Sequence, residues 1–171
     1  LVGARGNSGI IFAQFLYGFS KDIKGQETMN LKEFSENMHI ASECAYYALA
    51  KPKEGTMISV IRDWADFLCE NYDTTDDITT LLLNALTVAM ESLKGTGKFI
   101  AAKAKTIVDA GAKGFVVFLE GMCEYFHSGE KTVQVANAEI IDSEWLGEDN
   151  HEDITFRYCT EALLIGENLE R

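Results

Sequence analysis

From its start to Gly129 the apolar residues of this chain recur every three or four positions. Beyond Gly129 they recur roughly every second position, and this change of period constrains the fold more than any other feature. The strongest stripe is Ile78, Leu81, Leu82, Ala85, Leu86, Ala89, Met90 and Leu93, a spacing that lines one helix face. Thr75 to Asp77 supplies a cap before it, and Gly95 and Gly97 are expected to close it. Phe12, Phe15, Leu16 and Phe19 predict an earlier helix, and Leu31, Phe34, Met38, Ala41, Ala45 and Ala48 a second that stops near Lys51. The only proline, Pro52, favours leaving the helix there. Thr56 is placed to cap a third helix, in which Ile58, Ile61, Ala65 and Leu68 share a face while Arg62, Asp63, Asp66 and Glu70 are free to face water.

A further helix is expected from about Phe99 to Val108. It should break at Asp109 to Gly114 and resume over Phe115 to Phe126, apolar on nearly all sides as for a helix inside a bundle. The pattern therefore predicts five or six helices in residues 1–130. Residues 131–171 read as an acidic linker and the first strands of another domain, with Ile154 to Tyr158 alternating. The fold class is all-α, an antiparallel helical bundle or barrel followed by a short extended segment. Unpaired strand edges at 154–165 would favour a homodimer.

Charge narrows the partners. The net charge is −12, and residues 139–171 carry ten Asp or Glu against two Arg, net −8, so the helical part is close to neutral. Phosphate-backbone binding needs a basic footprint, so no nucleic acid and no anionic membrane surface is expected. No run approaches the 18 or so apolar residues of a membrane span, and no secretory signal opens the chain. The four cysteines, Cys44, Cys69, Cys123 and Cys159, form no CxxC, which suits a reducing, cytoplasmic setting.

The chemistry-bearing stretch is Gly3-Ala4-Arg5-Gly6-Asn7-Ser8-Gly9, which runs directly into the first helix. A helix start presents unpaired N–H groups and the positive end of the dipole; glycines allow close approach, Ser8 adds a hydroxyl and Arg5 a charge, a combination suited to phosphate. The GxxGxxG spacing is neither a Walker loop nor the dinucleotide fingerprint, and close helix packing is an equal reading of it. Two more glycine-bearing segments, Lys51 to Met57 and Asp109 to Gly114, lie at helix starts or breaks. In an antiparallel bundle alternate loops share an end, so all three are expected at one electropositive rim. Taken alone, the second is also an ordinary connection and Asp109 also an ordinary cap.

In this order, Gly3 to Gly9, Lys51-Pro52-Lys53-Glu54-Gly55-Thr56-Met57 and Val108-Asp109-Ala110-Gly111-Ala112-Lys113-Gly114 resemble the motifs of the DhaL-type nucleotide-binding domain. That domain is shared by dihydroxyacetone kinases and the bacterial fatty acid kinase A subunit. The form of the first two motifs and Tyr158-Cys159-Thr160-Glu161 are closer to the fatty acid kinase branch. The resemblance implies a helical barrel holding ATP and magnesium at one end, with the metal on an Asp cluster upstream of Leu1. The catalytic residues are therefore not assigned within this chain, and residues 1–171 alone are expected to be inactive. Carried over residue by residue, it implies nucleotide contacts at Gly6, Asn7, Ser8 and Gly9, at Thr56 and Met57, and at Asp109 and Gly111, with Cys159 one ligand of an incomplete metal site.

Three functions follow as expectations. The first is phosphorylation of a fatty acid carboxylate presented by a separate fatty-acid-binding partner protein. The second is phosphorylation of dihydroxyacetone or a similar small hydroxy-ketone. The third is a helical scaffold without nucleotide chemistry.

Overall fold

The computed structural model describes residues 4, 6–23, 25–100 and 108–129. They form five helices and no strand: α1 Asn7–Ser20, α2 Leu31–Tyr47, α3 Met57–Asn71, α4 Ile78–Ile100 and α5 Ala110–Ser128. The expected extended segment at 131–171, the homodimer contact at 154–165 and Cys159 lie outside the described residues, as do Gly3 and Arg5.

Consecutive helices pack on one another and α3 also packs on α5. Ring contacts join α1 to the set: Phe15, Trp64 and Phe115, each almost wholly buried, meet edge to face with centroids 5.3 to 6.3 Å apart. These three rings come from α1, α3 and α5, and around them lie Ile61, Leu68, Leu81, Leu82, Val116 and Leu119. The α1 and α2 backbones cross closely. A Cβ on Gly18 would stand 2.8 Å from Ala41 Cα and from Cys44 Cβ, so only glycine fits that crossing.

Asn30 begins α2 with a complete capping box: its side chain accepts from Glu33 N, and the Glu33 carboxylate accepts from Asn30 N. Asp77 caps α4, accepting from Thr79 N and from Thr80 N. Met29 to Lys32, Tyr72 and Thr75 to Ile78 surround one hollow, so α2 and α4 begin together at the end where α3 finishes. The starts of α1, α3 and α5 gather at the other end.

Several expectations are corrected. Gly95 and Gly97 do not close α4, which runs through both to Ile100, so Phe99 and Ile100 belong to α4 rather than to a separate helix. Leu93 and Thr96 are buried there, and packing overrides the roughly 1 kcal/mol that an internal glycine costs. Residues 101–107 lie outside the described set. Asp109 to Gly114 is no break: Asp109 is the N-cap and Ala110 the first residue of α5. Nor is α5 enclosed. Phe115, Val116, Leu119 and Cys123 are buried, but Val117, Phe118, Tyr125 and Phe126 remain exposed among the described residues, because the other helices cover one side of it. The second helix ends at Tyr47, four residues before Lys51.

Candidate functional site

The start of α1 is open. Its N-cap, Gly6, sits at φ 73°, a left-handed backbone that glycine adopts without strain, and no side chain caps the helix. The first intrahelical bond is Ile10 N to Gly6 O at 3.0 Å, which leaves the amides of Asn7, Ser8 and Gly9 at the exposed positive end of the dipole.

The start of α3 is built differently from the expectation. Thr56 occupies the N-cap position, but its hydroxyl points back along the chain and donates to Lys53 O at 2.8 Å. The capping group comes instead from α5. Asp109 Oδ1 accepts from Ala112 N at 2.7 Å, capping its own helix, and from Met57 N at 3.2 Å, capping α3. One carboxylate oxygen thus ties two helix starts together. Behind it, Thr96 Oγ1 of α4 accepts from Asp109 N at 3.0 Å and donates to Leu93 O.

The third link is steric. A Cβ on Gly111 would lie 2.5 Å from Ser8 Oγ, closer than real contacts come, so the first turns of α5 and α1 meet only because residue 111 has no side chain. Together these contacts enclose a cavity of about 220 Å³ lined by Asn7, Ser8, Thr56, Met57 and Asp109, with Ile11 and Leu49 as its apolar wall. Two further residues line it that the sequence reading did not single out: Lys51 and Lys53, both exposed. They lay inside a quoted motif, and their signal was charge beside an expected anion site. Gly6 and Gly9 flank Asn7 and Ser8 in the chain without lining the cavity, and a Cβ on either would meet nothing within 4 Å. Of the expected site residues, Asn7, Ser8, Thr56, Met57 and Asp109 are brought to one cavity, Gly111 abuts it through Ser8, and Cys159 and Arg5 lie outside the described residues.

Three hollows are larger: two, of about 350 and 330 Å³, lie over α3, and one, of about 570 Å³, lies where α2 and α4 begin. Among the described residues, three helix starts and two lysines meet at the 220 Å³ cavity. An uncapped helix start beside ammonium groups suits a phosphate chain, and the apolar wall suits a planar base. The residues present do not fit magnesium: among the described residues no group of three or more His, Cys, Asp or Glu is placed to hold a metal, and Asp109 Oδ1 already accepts two backbone N–H groups.

Residues 1–124 match the profile of the DAK2 domain. The chain belongs to the DAK2 domain family. A DAK2 domain is a helical, nucleotide-binding domain of the dihydroxyacetone-kinase type, in accord with the five helices seen here. The chain is also 36% identical, over 98% of its length, to an uncharacterized protein of Staphylococcus epidermidis. Uncharacterized proteins of Staphylococcus saprophyticus and Staphylococcus aureus match at the same 36% identity over 98% of the chain. This DAK2 chain spans about a third of the length of the curated relatives it matches, 32% of each. No helix among the described residues is long and apolar enough to cross a membrane.

Proposed function

We propose that this chain is the ATP-binding part of a larger kinase that phosphorylates a fatty acid carboxylate delivered by an acyl-binding partner protein. The observation that carries the nucleotide half of this reading is the meeting of the α1, α3 and α5 starts around the cavity of Ser8, Lys51, Lys53 and Met57. The acceptor rests on the fatty-acid-kinase form of the Gly3 to Gly9 and Lys51 to Met57 motifs.

When bound, ATP supplies the γ-phosphoryl group, which passes to a carboxylate oxygen as the bond to the β–γ bridging oxygen breaks, giving an acyl phosphate and ADP. The amides of Asn7, Ser8 and Gly9 and the Ser8 hydroxyl hold phosphate oxygens. Lys51 and Lys53 offset their charge, which is the main task of a protein in phosphoryl transfer. Met57, Ile11 and Leu49 hold the base away from water. Cytoplasmic placement and cysteines kept reduced fit this reading.

The test is ATP-dependent acyl phosphate formation by the full-length protein, with an acyl-binding partner loaded with fatty acid and, separately, with dihydroxyacetone as acceptor. Acyl phosphate formation that falls about tenfold with Ser8→Ala at ATP well below saturation supports the proposal. Turnover of dihydroxyacetone alone would assign the small hydroxy-ketone activity, and no nucleotide turnover with either acceptor would leave a scaffold.

A further inference from the structure

Glu54 and Arg62 line both hollows over α3, and Gly55, next to Glu54, is buried. Polar bonds hold this segment. Arg62 Nη1 of α3 donates to Glu54 Oε1 at 2.7 Å, and Ser59 Oγ donates to Glu54 Oε2 at 2.7 Å. Each carboxylate oxygen therefore has its own donor and the carboxylate plane is fixed. Ser59 Oγ in turn accepts from Gly55 N at 2.9 Å, with Gly55 at φ 75°. On the other side of Arg62, Nη2 donates to Asp63 Oδ1 at 3.4 Å, and Asp63 Oδ2 accepts from Ser92 Oγ of α4 at 2.5 Å. The chain of bonds runs from α4 through Arg62 to the loop, and the loop ends in Lys51 and Lys53 on one side and Met57 on the other.

We propose that Arg62 is a positioning residue: without lining the nucleotide cavity, it orients Glu54, which sets the left-handed turn at Gly55 and thereby the placement of Lys51, Lys53 and Met57 at the cavity rim. This rests on the nucleotide reading of that cavity for its effect on affinity, but not for its effect on the loop. The sequence pattern leaves Arg62 on the solvent face of α3; the structure gives it two carboxylate partners. A lysine at position 62 could reach one of them but not both in a fixed fork.

Two readouts on the full-length protein test the proposal. The first is amide hydrogen exchange at Gly55 and Met57 without ligand, in wild type, Arg62→Met and Arg62→Lys. Arg62→Met keeps the apolar stem, so the fold is retained; exchange at Gly55 is expected to rise about tenfold while that at Ala112 in α5 stays within twofold, and Arg62→Lys should fall between. The second is affinity for ADP and a non-hydrolysable ATP analogue. Arg62→Met should weaken it roughly fivefold, and Glu54→Gln combined with Arg62→Met should be no worse than either alone. Unchanged exchange at Gly55 overturns the proposal whether or not nucleotide binds. Faster exchange with unchanged affinity overturns the link to the cavity. A wild-type protein that binds neither nucleotide defeats the nucleotide reading and, with it, the effect on affinity, while exchange still decides the effect on the loop.

Discussion

Replacing Gly111 with alanine asks whether α1 and α5 meet as tightly as described and whether Ser8 matters for binding. The new Cβ would lie 2.5 Å from Ser8 Oγ and 3.3 Å from Ser8 Cβ. Something must move by roughly an ångström to restore an ordinary contact, and the Ser8 hydroxyl, exposed and on a single rotatable bond, is the part that moves. Overpacking of this kind costs about 1–3 kcal/mol, against which alanine in a helix recovers up to about 1 kcal/mol over glycine. The net loss of stability is therefore small, about 0–2 kcal/mol. Binding is the sharper readout. A hydrogen bond to a charged phosphate contributes about 1.5 kcal/mol, so turning the hydroxyl away should weaken nucleotide about tenfold, as should Ser8→Ala. The two changes remove one interaction, and Ser8→Ala also removes the closest clash, so the double variant should bind no worse than either single one. Calorimetric titration with ADP, alongside denaturant melts, completes the cycle. Losses that add to within about 0.5 kcal/mol, or a Gly111→Ala variant with wild-type affinity, would refute the reasoning.

Gly18→Ala should destabilise by about 1–3 kcal/mol in denaturant unfolding, because its Cβ meets the Ala41 backbone, which cannot turn aside as a hydroxyl can. Asp109→Ala should cost about 2 kcal/mol and loosen the starts of both α3 and α5, seen as faster hydrogen exchange at Met57 and Ala112 together; Asp109→Asn, which keeps an acceptor oxygen, should cost less. Bonds from Arg62 and Ser59 hold the Glu54 carboxyl below its ordinary value of 4.5. A carboxylate so lowered contributes stability that is complete above its unfolded value and is lost as pH falls through its folded one. Protection of the Gly55 amide, taken relative to an unstructured amide at the same pH, should therefore be steady above pH 4.5 and fall below it, and in Glu54→Gln that fall should be absent.

Much of the helical plan was legible because each stripe agrees with its own boundaries: Asn30 and Asp77 cap the helices that their neighbours' periods predict. The shared end for three glycine-bearing segments was legible for the same reason, since alternation of antiparallel helices dictates it. Three features were not legible. Gly95 and Gly97 look like a helix stop locally, and only the burial of Leu93 and Thr96 against other helices carries α4 onward. Thr56 has the right residue type for a cap, but an aspartate some fifty positions away reaches Met57 N, a pairing that no local pattern encodes. Arg62 sits on the polar face of its helix, and periodicity cannot tell a solvated arginine from one bonded to Glu54 and Asp63. Lys51 and Lys53 were visible as charges; their place in the cavity depends on the chain leaving α2 at Tyr47.

The central claim is that the open start of α1 and the two lysines hold the phosphates of a nucleotide. The most direct measurement is a crystal structure of the full-length protein with a non-hydrolysable ATP analogue. The account predicts phosphate oxygens within about 2.7–3.2 Å of the Ser8 and Gly9 amides and the Ser8 hydroxyl, with the ammonium groups of Lys51 and Lys53 facing the same phosphates and the base against Met57. Nucleotide seated instead in the hollow beside Arg62 and Ser92, or phosphates making no contact with residues 6–9, would contradict it.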